Sequence, residues 1–298
     1  MPKEIFTLPS FAKINWFLRV LGKRDDGYHE LCTLFQTISL ADEITFSVRD
    51  ELSLTCSDPR IPTDENNLII KAANALREKF TIKLGAKIHL EKRIPAPAGL
   101  GGGSSNAAVT LIGLRKLWNL KIEILDLIKI GENLGADVPF FFFGGTCIGT
   151  GNGTNLQPTK DLEENYLLIV KPDVDVPTRE AFARLNAPRL TKFDSKSILQ
   201  ICRNEALSFN SRQNDLKNDF EPSVFAIEPE IRRVKEKLLL LGAIKVLMSG
   251  SGASVFGIFD NKETRQATQQ ALEVEKNWRQ FAAATVSRDE YYAKVVSD

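Results

Sequence analysis

The stretch Arg93–Asn106, RIPAPAGLGGGSSN, constrains this chain more than any other. Prolines, glycines and serines at this density break helices and strands, so the segment reads as a loop. A strand, Ala86–Lys92, precedes it. A helix follows directly, because Ala107, Leu111, Leu114 and Trp118 recur at helical spacing. Ser104 or Ser105 stands where a hydroxyl would cap that helix. Gly99, Gly101, Gly102 and Gly103 let bare amides approach an oxyanion and adopt positive φ. The helix N-terminus adds unpaired donors and about half a positive charge. A strand, a glycine loop and a helix with two hydroxyls at its start suit a polyphosphate.

Other glycine loops fit less well. A Walker loop ends in Gly-Lys-Ser/Thr, and no lysine occurs here. A dinucleotide fingerprint starting at Gly99 finds Ser104 at its third glycine, and Pro95 and Pro97 lengthen a turn that such units keep tight. Protein-kinase landmarks and a GxSxG elbow are absent. The bland alternative is a flexible linker, but four glycines and two serines at a helix start are hard to require for packing alone.

The chain has 298 residues, 43% hydrophobic and 26% charged, enough for one large or two ordinary globular domains with a proper core. A net charge of +1 gives no general pull toward nucleic acid or anionic membranes. No run approaches the ~18 apolar residues of a membrane helix. MPKEIFTLPS lacks a signal-peptide apolar stretch, which predicts a cytoplasmic protein. Cys32, Cys56, Cys147 and Cys202 lie far apart, and His29 and His89 are the only histidines, so neither a zinc site nor disulfides are expected. Asn152-Gly153-Thr154 matches a glycosylation sequon, read here as accidental.

Periodicity predicts strands at Ala12–Val20, Glu43–Val48, Leu52–Thr55, Tyr166–Val170, Lys245–Met248, Val255–Phe259 and Phe281–Val286. It predicts helices at Leu68–Phe80, Ile122–Leu134, Arg179–Leu185, Pro229–Leu241 and Lys262–Val274. Asp137, with Pro139 behind it, suits the start of a short helix. Gly149–Asn155 and Lys160–Asn165 read as connections, placing a boundary between residues 1–160 and 161–298. The pattern is α+β in two parts.

Pro95–Ala108 resembles the second motif of the GHMP kinases. Ser10–Asn15 (SFAKIN) is similar to their first motif, with Phe11 where that motif carries proline. Ser249–Ser254 (SGSGAS) is similar to their third. Gly27-Tyr28-His29-Glu30 and Gly135–Pro139 (GADVP), with the triple glycine and SSNAA, resemble the branch whose acceptor alcohol carries a cytidine diphosphate. The resemblance spans residues 10–254. It implies an N-terminal domain like ribosomal protein S5 domain 2 and a ferredoxin-like C-terminal domain, with ATP and acceptor meeting between them.

The resemblance also assigns roles. The segment Pro95, Ala96, Pro97, Ala98, Gly99, Leu100, Gly101, Gly102, Gly103, Ser104 and Ser105 would bind ATP. Asp137 would be the base; from the residues alone it reads first as a helix cap. Lys13 would be its partner; from the residues alone it is a lysine on the wet face of a strand, pointing the same way as Asn15. Asn15, Tyr28, His29 and Phe182 would hold the acceptor, Tyr28 by stacking and His29 by polar contacts to the base. Phe182 as plain core is the competing reading. Ser249, Gly250, Ser251 and Gly252 would lie near the phosphates, or form a plain hairpin turn. Mg²⁺ would accompany ATP, with Ser105 the candidate ligand. His89 reads as structural. A monomer or homodimer is expected. The alternatives are a mevalonate, homoserine or sugar kinase of the same superfamily, a nucleotide-binding dehydrogenase that would take NAD, and a silent binding protein. Intact Lys13 and Asp137 argue against the last.

Overall fold

Two long antiparallel strands, β1 (Ile5–Lys23) and β2 (His29–Arg49), organise the protein. The fold is described from a computed structural model, over residues 5–25, 27–185 and 194–297. Both strands exceed the predicted segments, and residues 29–42 carry no strand prediction at all. The physical reason is burial on both faces: nearly every residue of Ser10–Phe17 and Leu31–Ile38 is buried, which erases the alternation that marks a half-buried strand. Register shifts at Phe11/Ala12, Asn15/Phe17 and Val20/Gly22 break the period further.

β1 occupies one edge of β2 along most of its length. Two later strands therefore share the other edge. β3 (Leu52–Cys56) and the helix α1 (Leu68–Phe80) lead to β4 (Gly85–Glu91), which pairs with Glu43–Arg49 of β2 and runs parallel to β3. α2 (Gly102–Leu117), α3 (Ile124–Leu134) and the short α4 (Phe140–Phe143) follow. β5 (Thr146–Gly151) then pairs with Leu31–Gln36 of β2, and β6 (Asn155–Pro158) closes the sheet. Gly149–Asn155 is thus mostly a hairpin, not the connection expected. Leu111, Leu114, Leu76 and Phe46 lie in the core between this sheet and its helices.

Two further expectations are corrected at the start of helices. α2 begins at Gly102, five residues before Ala107, and its N-cap is Gly101 with no side-chain cap, so neither Ser104 nor Ser105 caps it. α4 is preceded by Pro139 without a side-chain cap, so Asp137 does not cap that helix.

The second sheet starts with β7 (Leu167–Pro172). α5 (Thr178–Ala183), α6 (Asp194–Leu207), α7 (Glu221–Ile227) and α8 (Pro229–Leu240) come next. β8 (Lys245–Met248), β9 (Val255–Ile258), α9 (Lys262–Ala271) and β10 (Trp278–Ala283) complete it. β10 lies upstream of the predicted Phe281–Val286. The four strands pair antiparallel in the order β10-β7-β9-β8, the split-βαβ plan of ferredoxin-like folds. One face packs under α7 and α8 through Ile231, Val234 and Phe225. The other meets the β1–β2 hairpin through Trp16, Ile169 and Phe256. A last helix, α10 (Arg288–Tyr291), returns to the first core, where the Tyr291 hydroxyl donates to the Phe141 carbonyl. The chain therefore has the two-sheet α+β architecture that the sequence resemblance implies. Among the described residues, no helix is long and apolar enough to cross a membrane, and all four cysteines are free thiols.

Candidate active site

A cavity of about 600 Å³ lies where the β1–β2 hairpin, the glycine loop and the second sheet's loops converge. Every residue from Pro95 to Ser104 lines it. The loop is shaped from both sides. The Lys13 amide donates to the Leu100 carbonyl at 2.9 Å, fixing it to β1. From the second sheet, Ser249 Oγ donates to the Gly99 carbonyl at 2.9 Å and the Ser254 amide to the Ala98 carbonyl at 3.1 Å. Gly99 has φ +72°, and a Cβ there would stand 2.2 Å from the Ser249 carbonyl oxygen. Only glycine permits that approach. The SGSGAS loop between β8 and β9 is therefore a clasp on the glycine loop as well as a hairpin turn.

Lys13 is not on a wet face. It is 3% exposed, and its Nζ donates to Asn15 Oδ1 at 2.8 Å, stands 3.4 Å from Asp137 Oδ2 and faces the Phe35 ring at 5.5 Å. Asn15 Nδ2 donates to Thr33 Oγ1, which donates to the Phe17 carbonyl, so neighbours on both strands hold the amide that holds the ammonium. Asp137 reaches the cavity from the turn between α3 and α4. Gly250 lies on the other side of Lys13; a Cβ there would be 3.3 Å from Nζ. One buried cation thus faces a carboxylate, a carboxamide and the third-motif glycine.

Phe182, on α5, lines the cavity, stacks on His29 with ring centroids 5.1 Å apart, and meets Phe220 edge-on at 4.8 Å. Burial, then Lys23, pushes the His29 pKa down, favouring the neutral ring. His29 and Tyr28 lie beside the cavity rather than on its wall, and Tyr28 is 63% exposed. Gly250, Ser251 and Gly252 line the cavity; Ser249 is buried behind them. Ser105 is corrected as a metal ligand: it is fully buried, accepts a hydrogen bond from Ser10 Oγ at 2.8 Å, and does not reach the cavity.

Several residues at the site carry no sequence prediction. Thr33, Phe35 and Phe220 line the cavity, as do Asn152 and Gly153 of the apparent sequon. Thr178 Oγ1 lies 3.0 Å from Ser251 Oγ, joining α5 to the third motif. Asn218 Nδ2 donates to the Met248 and Gly250 carbonyls, both at 2.8 Å. Phe35 stands opposite Asn15 across the β1–β2 pairing, which the sequence did not mark; a lone asparagine such as Asn218 offers no signal either.

The site thus sets a glycine loop at a helix start, clasped by a second glycine turn, against a lysine–aspartate pair, and the same organisation belongs to the GHMP kinases that the chain matches. Residues 67–145 match the family described as GHMP kinases N terminal domain, and residues 198–277 match GHMP kinases C terminal. A 4-diphosphocytidyl-2-C-methyl-D-erythritol kinase from Protochlamydia amoebophila is 44% identical over 247 residues, 83% of this chain and 82% of that one. One from Thermodesulfovibrio yellowstonii is 41% identical, covering 88% and 92%. A crystal structure of 4-(cytidine 5'-diphospho)-2C-methyl-D-erythritol kinase superposes with a TM-score of 0.76 at 32% identity, over 94% of this chain and 99% of that one. A homoserine kinase from Cytophaga hutchinsonii, at 21% identity and a TM-score of 0.69 over 96% of both chains, shares the fold. The chain belongs to the 4-diphosphocytidyl-2-C-methyl-D-erythritol kinase family.

Proposed function

We propose that this kinase transfers the γ-phosphoryl group of ATP to the 2-hydroxyl of 4-diphosphocytidyl-2-C-methyl-D-erythritol, a step of the non-mevalonate route to isoprenoid precursors. The observation that carries the mechanism is the Lys13–Asp137 pair, 3.4 Å apart, on the wall of the cavity that the glycine loop lines. The loop amides from Gly101 to Ser104 take the phosphate oxygens. Asp137 accepts the proton of the acceptor hydroxyl as its oxygen bonds to the γ-phosphorus and the bond to the β,γ-bridging oxygen breaks. Lys13 stands against that carboxylate and offsets charge on the moving phosphoryl group.

The cytosine is held at the His29–Phe182 stack, with the exposed Tyr28 ring available for the ligand to cover. A neutral His29 ring offers both a donor and an acceptor to the base edge. Asn15 is placed to orient the acceptor alcohol beside Lys13.

Mg²⁺ fits the site in one mode. No group of three His, Cys, Asp or Glu side chains able to cage a metal occurs among the described residues. A hard cation held chiefly by phosphates and water needs few protein ligands. Asp137 and Ser104 are the oxygen-bearing side chains beside the phosphate loop that would hold it. When bound it would supply positive charge to offset the negative charge of the phosphates.

The four free thiols support a cytoplasmic location. The testing experiment is a coupled ADP-release assay with the cytidine alcohol, mevalonate and homoserine as acceptors. Turnover confined to the cytidine alcohol supports the reading; preference for another acceptor overturns it.

A further inference from the structure

Beneath the glycine loop lies a charged group that the proposed chemistry does not use. Asp42, on β2, is fully buried. Its Oδ1 accepts from the amides of Arg93 and Ile94, each at 2.7 Å. Its Oδ2 accepts from Lys92 Nζ at 2.6 Å and from Asn106 Nδ2 at 3.0 Å. Arg93 and Ile94 lead into the loop, and Asn106 lies in the first turns of α2, where the loop ends. One carboxylate therefore grips both ends of the segment that lines the cavity.

The grip extends further. Asn106 Nδ2 also donates to Ser10 Oγ at 2.9 Å, and Ser10 Oγ donates to Ser105 Oγ at 2.8 Å. Ser105 and Asn106 thus face away from the cavity and tie the start of α2 to β1. A buried carboxylate is costly to desolvate and persists only where donors replace its water. Asp42 has four, two of them main-chain amides. Hydrogen bonds to an ionised acceptor are roughly twice as strong as neutral ones. Burial pushes the Lys92 ammonium pKa down and Asp42 opposes that shift, so the pair stands together under the loop.

The span between the two grips contains Gly99 and Gly101, at φ +72° and +69°. Such glycines have the largest freedom to lose when a ligand orders them. Fixing both ends removes part of that loss before the nucleotide arrives. We propose that Asp42 is a positioning residue for the nucleotide: its carboxylate clamps the two ends of the Pro95–Ser104 loop so that the loop amides are set for phosphate oxygens in advance. The proposal rests on the reading of this loop as the ATP site.

The test is steady-state kinetics on Asp42→Ala and Asp42→Asn, with ATP and acceptor varied separately. Asp42→Ala should raise KM for ATP about tenfold or more, while KM for the acceptor moves less than about threefold. Asp42→Asn should recover part of the loss, because its carbonyl oxygen still accepts from Arg93 and Ile94. Should Asp42→Ala not fold, Asn106→Ala removes one contact of the four and should show the same split, at about threefold. The proposal is overturned if both KM values rise together, or if the melting temperature falls while KM for ATP stays put. Gly103→Val, which puts bulk into the cavity from the exposed start of α2, separates the two layers. A raised ATP KM there, with none in Asp42→Ala, sinks the clamp alone. No effect on ATP in either variant sinks the ATP site and the clamp with it.

Discussion

Lys13 Nζ stands 3.4 Å from Asp137 Oδ2, a buried ammonium against a carboxylate whose side chain keeps 34% of its surface exposed. The two come from strand β1 and from the turn before α4, far apart in sequence. That turn gains no helix cap from Asp137, so the carboxylate is available to a ligand.

Asp137→Asn tests that availability. It keeps the shape and removes the proton acceptor, so kcat should fall by about 10²–10⁴-fold. Because the pair is partly exposed on one side, stability should change by less than about 1 kcal/mol. The ADP-release assay and a thermal melt check the two halves of this statement.

Gly101→Ala should cost both stability and ATP affinity. Gly101 has φ +69°, and its Cβ would meet Phe141 Cζ at 2.9 Å and Lys13 Cγ at 3.0 Å. Strain of this kind costs about 1–3 kcal/mol. The displaced atoms belong to Phe141 and Lys13, both packed against the loop, so titration with a nonhydrolysable ATP analogue should show weaker binding.

Phe182→Ala and Tyr28→Ala should both act on the acceptor side. Loss of either ring should raise KM for the cytidine alcohol about tenfold, with KM for ATP nearly unchanged. Tyr28 is 63% exposed, so its loss should leave the melting temperature in place. An effect on ATP instead would move these rings to the nucleotide end.

His29 sets the pH dependence. Burial and Lys23 hold its folded pKa below the ordinary histidine value, so the unfolded chain binds more protons in the window between the two. The associated stability is complete above about pH 6.5 and is lost as pH falls through the depressed value. Acceptor binding should weaken over the same range as the ring charges. Thermal melts and acceptor KM from about pH 8 to pH 5, compared with His29→Gln, check it; the variant should flatten the slope.

Much of the site was legible in the chain because its chemistry is local. The run Gly99–Ser104 announces a glycine loop at a helix start, a short-range property, and the loop lines the cavity. The alternation at Lys13 and Asn15 already placed the two side chains on one face. Asp42 was not legible: its four donors come from Lys92–Ile94, brought by the β2–β4 pairing, and from Asn106 on α2, far apart in the chain. Asn218 is the same case across the second sheet. Ser105 misled because a serine beside Ser104 reads as a second ligand, whereas helical rotation turns it inward to Ser10. In the fold, α8, β8, β9 and α9 followed their periodicity and α6 and α7 did not, while the first half of β2 was hidden because both of its faces are buried.

The most direct test of the account is a crystal structure with a nonhydrolysable ATP analogue and the cytidine alcohol bound together. The account predicts the γ-phosphate on the amides between Gly101 and Ser104, with the acceptor hydroxyl within hydrogen-bond reach, about 2.6–3.2 Å, of an Asp137 carboxylate oxygen. A triphosphate seated away from that loop, or an Asp137 carboxylate turned from the hydroxyl, would contradict it.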